Sequence, residues 1–220
     1  MSAALAYAGI SSTSGWNASI AEWLAGIFVA PPTTGAIINY RQRIGATLFE
    51  ALAEDAGCVA GAQRMQSVIN SEASAAAVAR KLAMAFTQLF DGIGGSRTVP
   101  PYESAYVDGS GRLFQAPAGE LEKLLRQWSV STATAFREPP DHLSIELALL
   151  ARLIRDGTGY QQRAALFDEH LMVWAPIFAD RCQEYDRTGF FAGAAEVLIA
   201  FLTAQRAALG IKRTKGLRWE

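Results

Sequence analysis

Apolar residues recur at helical spacing along almost the whole chain, in windows separated by proline and glycine, and runs of β-branched residues are scarce. That pattern commits the backbone to helices whose apolar stripes must bury one another. A first helix is expected over about 17–29, with Ile20, Trp23, Leu24, Ile27 and Phe28 on one stripe, ending before Pro31-Pro32. The spacing predicts a second helix over about 34–55, a short one over about 59–69, and another over 73–90 carrying Val78, Leu82, Ala85, Phe86 and Leu89. Pro117 suits the first turn of a helix presenting Leu121, Leu124, Leu125 and Trp128. Asp141 is the expected N-cap of a helix over about 142–156 that buries Leu143, Leu147, Leu150 and Ile154. A long helix over about 161–186 carries Phe167, His170, Leu171, Trp174 and Phe178, and Pro176 is expected to kink it. The last, about 189–209, is stopped by Gly210.

The expected fold class is therefore all-α, a single helical-bundle domain. The length allows one domain or two small lobes sharing a core, and an irregular stretch over 130–140 separates the helices on either side. Residues 1–15 are small and polar and are expected to fray. The hydrophobic share of 50% and the formal net charge of −1 exclude a wholly disordered chain and a strongly basic nucleic-acid binder. Cys58 and Cys182 stand far apart without a CxxC spacing, so no disulfide framework or zinc site is expected, which fits a reducing compartment. The longest apolar stretch near the start, Trp23 to Pro32, is far shorter than the roughly 20 residues a helix needs to cross a bilayer. Residues 1–40 contain no Lys or Arg, so neither a secretory leader nor membrane insertion is expected, and the reading is cytoplasmic.

Catalytic motifs are missing: there is no GxxxxGK[ST], no GxSxG and no HExxH. The run Gly92-Ile93-Gly94-Gly95-Ser96 follows a helix and has no lysine after it, the wrong context for a phosphate loop. With only His142 and His170 present, no catalytic, metal or cofactor site is expected. Two proline-anchored segments stand out instead. One runs from Phe90-Asp91-Gly92 through Val99-Pro100-Pro101-Tyr102-Glu103-Ser104-Ala105-Tyr106, the other from Glu138-Pro139-Pro140-Asp141-His142 to Glu146-Leu147. His142 and Glu146 lie one turn apart and are able to interact. The acids Glu138, Asp141 and Glu146 favour a charged imidazole at His142, and the helix N-terminus opposes it; spacing does not decide between them. Each residue also has a plain structural reading: Asp141 as a cap, Glu138 as a solvated loop charge, Pro101 as rigid packing, Glu103 as a turn cap and His170 as a core histidine.

These segments resemble the TorD/DmsD family of redox-enzyme maturation chaperones. The resemblance is carried by Pro100-Pro101-Tyr102-Glu103-Ser104-Ala105-Tyr106, by Glu138-Pro139-Pro140-Asp141-His142-Leu143-Ser144-Ile145-Glu146-Leu147, and by His170-Leu171, Trp174, Pro176 and Phe178. It runs in order from the first helix to about 205, with Ala105 standing where the family often has Val. It implies an all-helical cytoplasmic protein without catalytic activity. Its partner would be the twin-arginine signal peptide of an exported molybdoenzyme precursor, held until the molybdenum cofactor is inserted. It further implies an N-terminal lobe over about 16–130, a hinge over about 131–141 at the Asp-His segment, a C-terminal lobe over about 142–210, and a monomer or a domain-swapped dimer. Weak GTP binding, known for some members, and a helical scaffold for the mature enzyme are the alternatives. In the peptide-binding reading, Glu138, Pro139, Asp141, His142 and Glu146 take the basic part of the peptide. Phe90, Pro100, Pro101, Tyr102 and Glu103 belong to an apolar groove near 86–102, and specificity is expected in the loop 91–99.

Overall fold

A computed structural model describes residues 13–71, 73–92, 94–107, 116–128, 138–158 and 160–210. The N-terminal residues 1–12, most of the predicted hinge (131–137) and the tail from 211 lie outside the described residues. The described residues form helices α1 (Thr13–Val29), α2 (Thr34–Arg41), α3 (Arg43–Glu54), α4 (Val59–Ile69), α5 (Ala75–Phe90), α6 (Ser104–Val107), α7 (Ala116–Gln127), α8 (Leu143–Arg155), α9 (Tyr160–Ala165), α10 (Met172–Tyr185) and α11 (Phe190–Ala208). No strand occurs among them; an isolated antiparallel bridge joins Tyr102 and His142.

Local chemistry sets the boundaries. The Thr33 side chain accepts the Ala36 N–H at 3.2 Å and Ser74 that of Ala77 at 3.2 Å, so α2 and α5 each begin at a hydroxyl cap. Gly210, at φ 71°, follows α11 in the left-handed conformation that ends helices.

Two helix expectations are corrected. The predicted helix over 34–55 is two, because Gln42 takes an extended backbone (φ −88°, ψ 170°) between α2 and α3. The chain then turns so tightly that a Cβ on Gly45 would lie 2.3 Å from the Tyr40 Cα. Only glycine permits that approach. The predicted helix over 161–186 is interrupted at Leu166–Leu171, which winds as a π-helix between α9 and α10. The irregularity lies upstream of Pro176, which sits inside α10 without ending it. The Met172 N–H reaches back to the Phe167 carbonyl, a π-type step that rewinds the backbone before the proline turn.

Helices from both sides of residues 131–141 share one core. The closest pairings are α1 along α8, α4 along α11, α10 along α11 and α2 along α5. At the α4–α11 crossing two glycines face each other: a Cβ on Gly61 would lie 2.5 Å from the Gly193 carbonyl oxygen, and one on Gly193 2.6 Å from that of Gly61. Edge-on and stacked aromatic rings fill the centre, with Phe90 in contact with Phe28, Phe86, Phe178 and Phe191. Arg41 ties α2 to the α4–α5 connection, donating from Nε to the Ile69 carbonyl at 2.7 Å and from a terminal nitrogen to those of Ser71 and Ala73. Cys58 and Cys182 are buried free thiols, and burial pushes Cys58 up to about 11. One described helix, α11, is long and apolar enough to cross a membrane by length and composition, a feature the sequence expectation passed over. Its apolar residues from Phe190 to Leu202 are largely core.

Candidate functional site

The two proline-anchored segments fold onto each other. The Glu103 N–H donates to the Asp141 carbonyl at 3.0 Å and the Leu143 N–H to the Pro101 carbonyl at 2.9 Å, which makes the Tyr102–His142 bridge. Pro101 has no N–H to offer and serves here through its carbonyl. The His142 N–H closes a turn on the Pro139 carbonyl at 3.1 Å. The backbone of each segment thereby fixes the other.

Side chains tighten the junction. The predicted cap is corrected here: Asp141 does not cap α8. Its carboxylate Oδ2 accepts the Ser104 N–H at 3.0 Å and the Ser104 hydroxyl, capping α6 in the opposite segment. The cap of α8 is His142, whose Nδ1 accepts the Ser144 N–H at 3.1 Å. A ring nitrogen can accept only when it carries no proton. Burial agrees, since His142 is 4% exposed and desolvation lowers its pKa to about 4 against the opposing pull of Glu138 and Asp141. The contest left open by the sequence is therefore decided by burial. The Tyr102 ring meets the His142 ring edge-on at 4.9 Å between centroids.

Beneath lies a buried polar chain. Glu103 Oε2 is 2.9 Å from His170 Nδ1, and both side chains are almost wholly enclosed. The Trp174 indole donates to Glu146 Oε1 at 3.2 Å, and Tyr106 stacks on Trp174. Glu146 does not turn to the His142 ring as its spacing allowed, because the indole of α10 holds it in the core. Burial raises the Glu146 pKa well above the usual carboxylate range, and the charges of Glu103 and Asp141 push the same way. Burial also raises Glu103, against the opposing bond from His170. Asp141 Oδ1, fully buried, finds no hydrogen-bond partner among the described residues. No group of three or more metal-ligating side chains gathers among those residues either.

The sequence-predicted residues thus occupy two levels. Glu138 is exposed, and its carboxylate accepts the Tyr102 hydroxyl at 2.5 Å; Tyr102 and Pro100 are half-buried. Pro101, Glu103, Pro139, Asp141, His142 and Glu146 are buried directly below. Phe90 is 6% exposed and reaches this junction through Phe178, which touches both Tyr106 and Trp174. The concave surface that the stretch near 86–102 does line is rimmed by cations: Arg80, Lys81, Arg97 and Arg187 surround it. Sequence reasoning missed the Glu103–His170 and Glu146–Trp174 pairs and the Ser104–Asp141 cap. All three join residues at least 28 positions apart, beyond what periodicity reports.

Comparison with known proteins places this architecture. A family model described as nitrate reductase delta subunit matches residues 51–180, more than half of the chain. Chaperone protein TorD of Vibrio cholerae (strain O395) is 28% identical over 197 residues, which cover 84% of this chain and 88% of the relative. That of Vibrio parahaemolyticus is 35% identical over 111 residues, 46% of this chain and 52% of the relative. A solved chain from Archaeoglobus fulgidus, described as a redox enzyme maturation protein, shares the fold at a TM-score of 0.51. It is 18% identical, and the match covers 88% of this chain and 96% of that one. The relatives carry the name of a chaperone rather than of an enzyme. The chain belongs to the TorD-like family of redox-enzyme maturation chaperones that the nitrate reductase delta subunit model describes.

Proposed function

We propose that this chaperone acts in the cytoplasm on the twin-arginine signal peptide of an exported molybdoenzyme precursor, holding it until the molybdenum cofactor is inserted. The observation that carries the reading is the stacking of acids at the junction of the two proline-anchored segments. Glu138 stands at the surface, and Asp141, with an unpartnered carboxylate oxygen, lies below it. His142, the nearest ring, is kept neutral by burial and does not cancel them. Such an arrangement attracts a guanidinium, and the exposed Glu138 offers the planar carboxylate that arginine pairs with bidentately. The buried members hold Glu138 and Tyr102 in place.

The test is a calorimetric titration of the chain with synthetic signal peptides of exported molybdoenzymes, each with its arginine pair intact and with both arginines changed to alanine. Binding at about micromolar Kd to an intact peptide is expected. Glu138→Gln, a surface change, is expected to weaken it by roughly 1–2 kcal/mol, near the value of a charge-assisted hydrogen bond. Equal affinity for the intact and the alanine peptides would remove the arginines from recognition.

A further inference from the structure

Along the exposed side of α5, the turn at Gly95–Arg97 and the α10–α11 connection enclose a groove of about 670 Å³. Four cations stand around it, Arg80, Lys81, Arg97 and Arg187, all exposed. None of the four makes an ion pair or hydrogen bond with another described residue. Asp186, the acid among the lining residues, is already committed: its carboxylate accepts from the Thr188 N–H and hydroxyl and from the Ala192 N–H. The lining therefore carries four cations against the single carboxylate of Asp186, a net positive field.

Its floor is apolar. Met84, 67% exposed, stands one turn beyond Arg80 on α5, and Ala85 and Leu89 also line the groove. An exposed methionine is a poor choice for solvent and a good one for an adaptable contact. Arg80, Met84 and Gln88 mark successive turns of α5, roughly 12 Å from end to end at the helical rise.

We propose that this groove docks an acidic amphipathic segment of a partner protein, its carboxylates on Arg80, Lys81, Arg97 and Arg187 and an apolar side chain on Met84. Charge excludes a twin-arginine segment here, so the site is separate from the junction at Glu138 and the inference does not rest on that reading. Cations drawn from α5, the turn at Gly95–Arg97 and the α10–α11 connection around an exposed methionine suit a peptide better than a compact anion.

The experiment is fluorescence anisotropy of the full chain with a labelled peptide carrying glutamates spaced around a central leucine, beside the same peptide with lysines for the glutamates. The acidic peptide is expected to bind, the lysine version not to bind, and raised salt to weaken the complex. Arg80→Glu with Lys81→Glu, both exposed, is expected to weaken binding about tenfold or more. Met84→Asp is expected to weaken it while leaving the helical circular dichroism unchanged. Absence of binding, unchanged affinity in the charge-reversed protein, equal binding of the lysine peptide, or displacement of the acidic peptide by millimolar inorganic phosphate would each overturn the proposal.

Discussion

At His142 a single imidazole carries both a cap and a titration. Its pKa falls from 6.5 to about 4 on folding because burial penalises the cation. A depressed value in the native state contributes stability that is present above 6.5 and is lost as pH falls toward 4, at roughly 1.4 kcal/mol per pH unit. Glu146 runs the other way: its raised native value contributes stability that is full below the unfolded carboxylate range and is lost as pH rises through the native one. The two are separable by substitution. His142→Asn keeps an acceptor for the Ser144 N–H and removes the titration. The stability advantage of the wild type over this variant, from urea unfolding, is expected to shrink by about 2 kcal/mol between pH 6.5 and about pH 5. Glu146→Gln keeps an acceptor for Trp174, and its stability relative to the wild type is expected to rise steadily with pH. A flat difference in either series would mean that the group titrates alike in both states. Sequence brought the acids close to His142 but could not weigh them, since the deciding quantity is burial, and burial comes from helices distant in sequence.

Helix spacing and breaks were legible where one face is apolar and a hydroxyl, proline or glycine marks the end, as at Ser74 and Gly210. They were illegible where a glycine serves a neighbour. Gly45 reads as a weak helix former inside a periodic window, yet its missing Cβ is what lets α3 turn back on α2. The same chemistry separates two glycines by their surroundings. Gly193→Ala places a methyl group 2.6 Å from the Gly61 carbonyl oxygen, so α4 and α11 must separate. A loss of about 2 kcal/mol is expected from overpacking. Gly119, exposed in the first turn of α7, has nothing within 4 Å of an added Cβ. Gly119→Ala is expected to gain between about 0.5 and 1 kcal/mol from helix propensity alone. Thermal unfolding of the two variants checks both, and a destabilised Gly119→Ala would show that α7 makes contacts beyond the described residues.

At the scale of the molecule, the all-α class followed from the sequence pattern, but the pairing of helices did not, because amphipathic stripes state that a face is buried and not against what. That pairing crosses the predicted hinge. The buried face of α8 packs on α1, α11 packs on α4, and Arg155 of α8 forms an ion pair with Glu22 of α1. The two proline-anchored segments are likewise bonded to each other across the same boundary. Cutting the chain between 131 and 137 therefore exposes large apolar surfaces on both products. Residues 138–220 alone would present the inner faces of α8 and α11 to water, and residues 1–137 those of α1 and α4. Burial of about 25 cal/mol per Å² of apolar surface is lost on each side, more than a domain's small net stability can absorb. Neither half is expected to show cooperative thermal unfolding by circular dichroism when produced alone. Mixed halves are expected to regain it, because every contact of the core survives when the connection is broken. The same reasoning makes exchange of halves between two copies conservative: the contacts remain and only their covalent connection changes. Cooperative folding of either half by itself would show that the parts flanking 131–141 are independent units, and would leave exchange across the hinge without its driving force.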